Sequence, residues 1–341
     1  MVGTIFVSLS PAQPSVVFDT FWRFAAERQN IFFARLEGRP APWTNDPILR
    51  EHKFTNAYRA SDRVSQYLIR QVIYGGSQAP REVFFRTLLF KLFNKIDTWE
   101  LLRQHLGEIS FETYRYSDYD RVLSNALRAR AKIYSAAYIM ASGHKHFNVE
   151  RKHQAHLKLL EVMLSDAVPE RLAESKSMRH AFEILKSYPL IGDFLGYQLV
   201  TDLNYSELTQ FSEMEFTIPG PGARDGIRKC FKSFGGLSET DLIRLMADHQ
   251  EREFDRLEIN FASLCGRKLQ LIDIQNLFCE VDKYSRVKHP DVAGLSGRAR
   301  IKQKFRYNAD PIEFFYPPKW GIHLGAKSAL RNSRLSGLRG H

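Results

Sequence analysis

The sequence predicts a mainly α-helical protein, and three observations carry that reading. Apolar residues recur at helical spacing in one segment after another. Period-two alternation is nearly absent, confined to short pieces near Glu108–Arg115 and Glu215–Ile218. Clusters such as Gly38-Arg-Pro-Ala-Pro42, Gly75-Gly76 and Pro219-Gly220-Pro221-Gly222 fall between the periodic segments rather than inside them.

In chain order, residues 1–15 form a loosely ordered lead-in. The stretch FDTFWRFAAERQNIFFARL makes Val16–Leu36 a strongly aromatic helix, stopped by Gly38–Pro42 and followed by a loop over Trp43–His52. A second helix is expected over Thr55–Tyr74, ending at Gly75-Gly76. Val83–Phe93 is short, apolar and buried, and Asp97-Thr98 reads as an N-cap for a helix through His105. Tyr119–Met140 reads as a long helix with Ala-rich packing positions, and helices over Glu150–Leu164 and Ser177–Ser187 follow. Two glycine turns come next. Ile191-Gly192-Asp193 opens a segment with Phe194, Leu195, Leu199 and Leu203 near helical spacing, and Pro219–Gly222 opens one with Ala223, Ile227 and Phe231. Ser238–Phe261 begins with the capping-box pattern Ser238-Glu-Thr-Asp241, Asp replacing the usual Glu or Gln. Leu271–Tyr284 is the last helix; Pro290–Phe305 reads as a loop or disordered arm, and the final 20 residues, without an acid, as mobile. The expected organisation is a lead-in (1–15), a helical domain (16–287) with hairpins near 188–203 and 218–231, and a basic arm (288–341).

At 341 residues, 44% hydrophobic and 26% charged, the chain has the length and composition of a globular protein with a real core. No apolar run reaches the roughly 18 residues of a membrane span, and MVGTIFVSLSPAQPS lacks the basic start of a signal peptide. Cys230, Cys265 and Cys279 have no metal spacing, so a reducing cytoplasmic setting (nuclear if eukaryotic) without a structural zinc is expected. His144-Lys-His146 reads as a surface loop, and no metal site is assigned. The net charge of +11 is unevenly placed: from Lys283 onward 13 Lys or Arg face three acids, leaving the rest nearly neutral. With Tyr284, Phe305, Tyr307 and Trp320 interleaved, this basic quarter points to a polyanion, most simply nucleic acid; a solubilising tail is the plainer alternative.

Several side chains stand out as candidates for chemistry. Glu27-Arg28 lies mid-helix among aromatics, and Asp62-Arg63 repeats the situation on the next helix, with Asn56 and Arg59 one turn earlier. They read either as a buried ion-pair network or as a pocket wall, with Trp43, Tyr58 or Trp22 stacking on a base. Asp202 sits where a carboxylate opposes the helix dipole. Glu280, Lys283 and Tyr284 are three to four residues apart, an ordinary helical ion pair or a tuned acid/base group. At the glycine turns, Gly192, Gly220 and Gly222 would let backbone N–H groups approach a phosphate, or are ordinary interhelical turns. No GxxxxGK[ST], HExxH, GxSxG or strand-borne GxGxxG occurs, which argues against a P-loop kinase and a dinucleotide site.

Read together, FWRFAAERQNIFF, PWTNDPIL, KFTNAYRASDRVSQYL, GDFLGYQLVTDLNYS, FTIPGPGARDGIRKCF and DIQNLFCEVDKY resemble the alpha-glutamyl/putrescinyl thymine pyrophosphorylases. Their helical module is also called the 5-hydroxymethyluracil DNA kinase helical domain. The resemblance covers roughly Val16–Val287. It implies a fold akin to helix-hairpin-helix DNA glycosylases, with the two glycine hairpins gripping DNA. Arg224, Arg228 and Lys229 then join the hairpin glycines as candidate DNA contacts, with Arg298, Arg300, Lys302 and Lys304 of the arm.

The implied reaction acts on a flipped or single-stranded DNA base. A separate kinase pyrophosphorylates 5-hydroxymethyluracil, and an amine co-substrate (amino acid or polyamine) then displaces pyrophosphate; no other cofactor is evident. By motif position the resemblance assigns Arg28, Arg59 and Arg63 to phosphate contacts, Asp62, Asp202 or Glu280 to the general base, and Lys283 to the leaving group. Glu27, Trp43, Asn56 and Tyr284 would line the substrate pocket. One departure is Asp225, the only acid in FTIPGPGARDGI, which falls inside a helix start and is poorly placed for glycosylase chemistry. A glycosylase or base-targeting defence enzyme on the same scaffold, and a non-catalytic DNA-binding module, are the alternatives.

Overall fold

The computed structural model describes residues 10–136, 140–308, 314–322 and 324. Its α-helices are α1 (Val16–Leu36), α2 (Pro47–Glu51), α3 (Arg63–Tyr67), α4 (Pro80–Phe93), α5 (Ile96–Leu106), α6 (Tyr116–Arg128) and α7 (Lys152–Ser165). They continue with α8 (Val168–Ala173), α9 (Met178–Lys186), α10 (Asp193–Leu203), α11 (Pro221–Cys230), α12 (Glu239–Arg256) and α13 (Leu271–Lys288). Short 3-10 turns occupy Arg59–Ser61 and Pro318–Trp320, and a π-helical run covers Leu68–Ile73. The described strands are β1 (Gln13–Pro14) and β2 (Phe231–Ser233), paired antiparallel. The mainly α expectation holds.

The chain divides into two compact units. The first comprises Met1–Asp62, Thr217–Pro311 and His323–His341. Its core forms where α1, α11 and α12 pack on α13. Phe21 meets Phe278 at 4.8 Å and Trp22 meets Phe254 at 5.1 Å between ring centroids. α11 lies close against α13: a Cβ on Gly222 would come 2.3 Å from Cys279 Sγ, and one on Gly226 1.9 Å from the Phe278 carbonyl. Ser15 starts α1 by accepting the Val17 N–H at 3.0 Å, while its own N–H reaches the Cys230 carbonyl at 2.8 Å. Ser238 and Asp241 close the capping box of α12 as expected.

The second unit comprises Arg63–Phe216 and Ile312–Ile322. α4 is its centre, buried on all sides from Val83 to Phe93. Arg86 on α4 donates to the carbonyls of Val72, Ile73 and Ser77, which satisfies the backbone left open where the π-helical run ends. α9 and α10 form a hairpin whose second helix starts from an exposed Gly192; Gly196 sits against the Phe182 ring.

Several boundaries differ from the sequence reading. The helix expected over Thr55–Tyr74 begins only at Arg63, after a separate 3-10 turn at Arg59–Ser61, because residues before it are held by side chains instead of by i,i+4 bonds. The Asn56 N–H goes to Asp62 Oδ1 at 2.8 Å and the Arg59 N–H to Asp273 Oδ1 at 2.7 Å. The helix expected to run to Met140 stops at Arg128; Arg130 turns left-handed (φ 60°) and the Ala131 N–H closes on the Ala126 carbonyl. Residues 137–139 lie outside the described set. Neither Glu108–Arg115 nor Glu215–Ile218 forms a strand: the N–H groups of Phe111 and Glu112 go to the Glu82 carboxylate, and Glu215 accepts the Met178 N–H. α8 and α2 were not anticipated; the loop expected at Trp43–His52 contains α2, started by Asp46 as N-cap with Pro47 at N1.

Of the lead-in, residues 1–9 lie outside the described set, whereas Gln13–Ser15 are tied to β2 and α1. The arm expected to be a loop or disordered is a loop fixed on the first unit, with turns before Gly297 and one antiparallel bridge, Lys304 to His52. The Lys53 N–H donates to the Gln303 carbonyl (3.0 Å), the Phe305 N–H to Glu51 (2.9 Å), and the Ser296 N–H to Asp225 (3.0 Å). Most of the final 20 residues, expected to be mobile, lie outside the described set.

Candidate functional site

In the first unit, α1, the 52–62 segment and α13 bring together eight of the side chains singled out above. The non-helical run Phe54–Tyr58 is the hub. Arg28, from the middle of α1, donates from Nε to the Thr55 carbonyl at 2.8 Å and from Nη2 to Asn56 Oδ1 at 3.1 Å. From α13, Glu280 Oε2 accepts the Thr55 N–H at 3.0 Å and the Lys283 ammonium at 2.7 Å. Lys283 Nζ also lies 4.5 Å from the centroid of the Phe54 ring. Asn56 closes the loop by donating Nδ2–H to the Ser61 carbonyl at 2.8 Å.

Asp62 ends the 3-10 turn with one oxygen held by the Asn56 N–H. Its other oxygen, Oδ2, takes no hydrogen bond among the described residues. Burial pushes its carboxyl up, the Asn56 N–H pulls it back, Glu280 pushes up again, and Arg28 and Arg59 oppose; the net is a rise to about 7. Burial lowers the Arg28 guanidinium, against the attraction of Asp62 and Glu280. Arg28 Nη1 carries no hydrogen bond to any described residue.

A second layer continues toward the α1 end. Tyr284 donates to Asp46 Oδ2 at 2.5 Å, and Thr44 donates to Glu27. Burial and then Asp46 raise the Tyr284 phenol, which stays protonated. Beyond Thr44, Trp43 is half-buried, carries the Arg35 guanidinium 5.0 Å from its ring centroid, and stacks on Tyr307 at 5.7 Å.

The site is thus a half-buried carboxylate poised to exchange a proton near neutral pH, a second carboxylate on α13, and two cations, one with a donor edge unused. That set can accept a proton and bind an anion. Among the described residues no His, Cys, Asp or Glu group could hold a metal ion.

The other sequence candidates are placed differently. Arg59 is buried, with its charge acting on Asp62; Arg63 is exposed and starts the second unit. Asp202 also belongs to the second unit, fully buried with Lys91 Nζ at 3.1 Å. Trp22 and Tyr58 are core residues and cannot offer a stacking face; Tyr58 donates its hydroxyl to the Arg267 carbonyl.

Lys229, expected to contact DNA, is buried and ion-paired with Asp282 at 2.9 Å, so its charge is neutralised inside the unit. Arg224 and Arg228 are half exposed and share Glu239, at 3.3 and 3.5 Å. Gly220 caps α11 from a buried position, and Gly222 is glycine for contact with Cys279; Gly192 is exposed with open space around it. Arg298, Arg300, Lys302 and Lys304 are all exposed on the arm. Thr44, Asp46 and the Thr55 backbone were missed; only Asp46-Pro47, an N-cap followed by Pro at N1, had a local signature.

Comparison with known proteins adds the following. The family described as 5-hmdU DNA kinase, helical domain, matches residues 15–294. A 5-hmdU DNA kinase of Bacillus phage SP10 is 26% identical over 332 residues, covering 90% of this chain and 51% of that protein. The chain therefore spans about half the length of this relative. No solved structure matches it.

Proposed function

The chain belongs to the 5-hmdU DNA kinase helical-domain family, and on that premise we propose that it is a DNA base-hypermodification enzyme acting on a 5-hydroxymethyluracil-derived base. In its finer form, the reading is that an amine replaces pyrophosphate on a pyrophosphorylated base. The observation that carries it is the Asp62 carboxyl, raised to about 7 with Oδ2 open, beside an arginine whose Nη1 is unused.

In this reaction the amine nitrogen bonds to the methylene carbon on C5 of the base. The carbon–oxygen bond to pyrophosphate breaks, and its electron pair leaves with the pyrophosphate. The proton lost by the nitrogen goes to Asp62 Oδ2. Arg28 Nη1 and the Lys283 ammonium receive the negative charge that develops on the leaving oxygen. Glu280 orients Lys283 and, by its own charge, keeps Asp62 basic enough to take the proton. The hairpin turn at Gly192 is proposed separately as a DNA-backbone grip, since its exposed N-terminal N–H groups can meet a phosphate.

Nucleoside mass spectrometry tests this directly. DNA carrying thymine, 5-hydroxymethyluracil or its pyrophosphorylated form is incubated with the protein and a set of amines. The expected result is a mass gain that requires both the pyrophosphorylated base and an amine. Abasic sites instead would move the assignment to a glycosylase.

A second reading is favoured by one observation: the SP10 kinase is about twice as long as the matched stretch, and the present sequence has no phosphate loop. The helical module would then present the base to a kinase and perform no chemistry itself. Unchanged nucleosides together with salt-sensitive DNA binding would select that reading.

A further inference from the structure

From Gly297 the arm reads GRARIKQKFRY, with a cation at every second residue: Arg298, Arg300, Lys302, Lys304 and Arg306. Around Lys304, which pairs antiparallel with His52, the backbone is extended, so alternate residues share a side and same-side cations fall about 6.6 Å apart. Ile301, between them, is buried, while all five cations are exposed. The geometry is preset by backbone bonds: Arg286 Nη1 donates to the Arg300 carbonyl at 3.1 Å, Lys53 N–H to Gln303, and Phe305 N–H to Glu51. Of the five cations, Lys304 is paired with Glu51. The segment ends on Tyr307, 63% exposed, which stacks on Trp43 and so is braced from behind; Phe305, 39% exposed, meets the Trp43 ring edge-on. Everything from Gly297 on lies past the residues matched to the family.

We propose that Gly297–Tyr307 is a preformed docking track for a single strand of DNA, its alternate cations following the phosphates along one side and Tyr307, on the other side past Arg306, stacking on an unpaired base where the strand leaves the track. Charge complementarity selects a polyanion, and the exposed ring at the end of a column of side chains selects an unstacked base over a duplex, whose bases are shielded. A cationic ligand is disfavoured, because the Arg35 guanidinium already faces Trp43. Since the backbone is already bonded to the body at Arg300, Gln303 and Phe305, binding need not order it. A track of this kind would hold the strand from which a target base has been drawn. The inference takes DNA as the partner from the reading above, and nothing else from it.

The test uses the full chain and unmodified oligonucleotides, so it does not depend on the base chemistry. Fluorescence anisotropy compares one sequence as single-stranded DNA, duplex DNA and single-stranded RNA over a range of salt. Single-stranded DNA is expected to bind more tightly than either of the others. Tyr307→Ala should weaken it about tenfold with an unchanged salt slope, and Tyr307→Phe should restore it. Lys302→Ala with Arg306→Ala should lower the salt slope by roughly 1.4, about 0.7 per cation. Equal or tighter duplex binding, tighter RNA binding, or a Tyr307→Ala variant of full affinity would overturn the inference. If nucleosides stay unmodified in the earlier assay while this pattern holds, the track stands without the proposed chemistry; the reverse pattern removes the track alone.

Discussion

Glu82 in the second unit and Asp62 in the first are both carboxylates set beside an arginine, yet their acidities move in opposite directions. Burial works against ionisation in both. Glu82 receives Ser110 Oγ at 2.7 Å, the N–H groups of Phe111 and Glu112 at 3.1 Å, and Arg86 at 3.2 Å. Those donors outweigh burial and leave its pKa below the ordinary value. Asp62 receives one backbone N–H and feels Glu280, and its pKa climbs to about 7. The number of donors, rather than the presence of a cation, separates a carboxylate that fastens the fold from one free to take a proton.

The sharpest break of this contrast concerns rate. Asp62→Asn keeps the Asn56 contact but removes the proton acceptor, so amine incorporation should fall by about 10²–10⁴. The wild-type rate should rise with pH through about 7, and the variant should lose that limb; a retained limb would assign the base elsewhere. Next in size is the fold itself. Arg86→Ala removes the counter-charge of Glu82 and the side-chain donors to the Val72 and Ser77 carbonyls, and should lower unfolding free energy by about 3–5 kcal/mol in urea titration.

The two carboxylates should also differ in the sign of their pH dependence. Asp62 is raised in the folded state, so its ionisation destabilises the fold above about 7, and the penalty is relieved as pH falls from there toward its ordinary value of 3.8. Asp62→Asn should therefore be more stable than wild type at pH 8 by about 1–2 kcal/mol, after discounting for partial exposure. That advantage should vanish in acid. Glu82 is lowered, so it stabilises the fold above its ordinary value of 4.5 and loses this as pH falls through the depressed folded pKa. Glu82→Gln should thus be less stable than wild type at pH 7, with the gap closing in acid. The smallest expected effect is Glu280→Gln, which removes a neighbouring negative charge and should move the Asp62 limb of the rate profile to lower pH.

Much of the fold was legible because its signals are local. Apolar periodicity located α1, α7, α9, α12 and α13, and the Ser238/Asp241 cap marked its helix start. The two glycine turns were visible too, as the starts of α10 and α11. The reasons for individual glycines were hidden, since Gly222 and Gly226 answer to α13, more than 50 residues away in sequence. The site was legible as a set of residue types, Glu27-Arg28, Asn56, Asp62 and Glu280-Lys283-Tyr284, but not as an arrangement.

The sequence by itself therefore determined the helical class, most helix boundaries, the basic arm and a pool of candidate charges, all consequences of spacing within about twenty residues. The tertiary structure decided which charges stay accessible. Lys229 is buried against Asp282 and Asp202 against Lys91, whereas Asp62 keeps an open oxygen. It also decided that Phe54–Tyr58 would not be helical, because Arg28, Glu280, Asp62 and Asp273 claim backbone groups that a helix would have used. Such competition depends on groups brought together only by folding, and no local pattern records it.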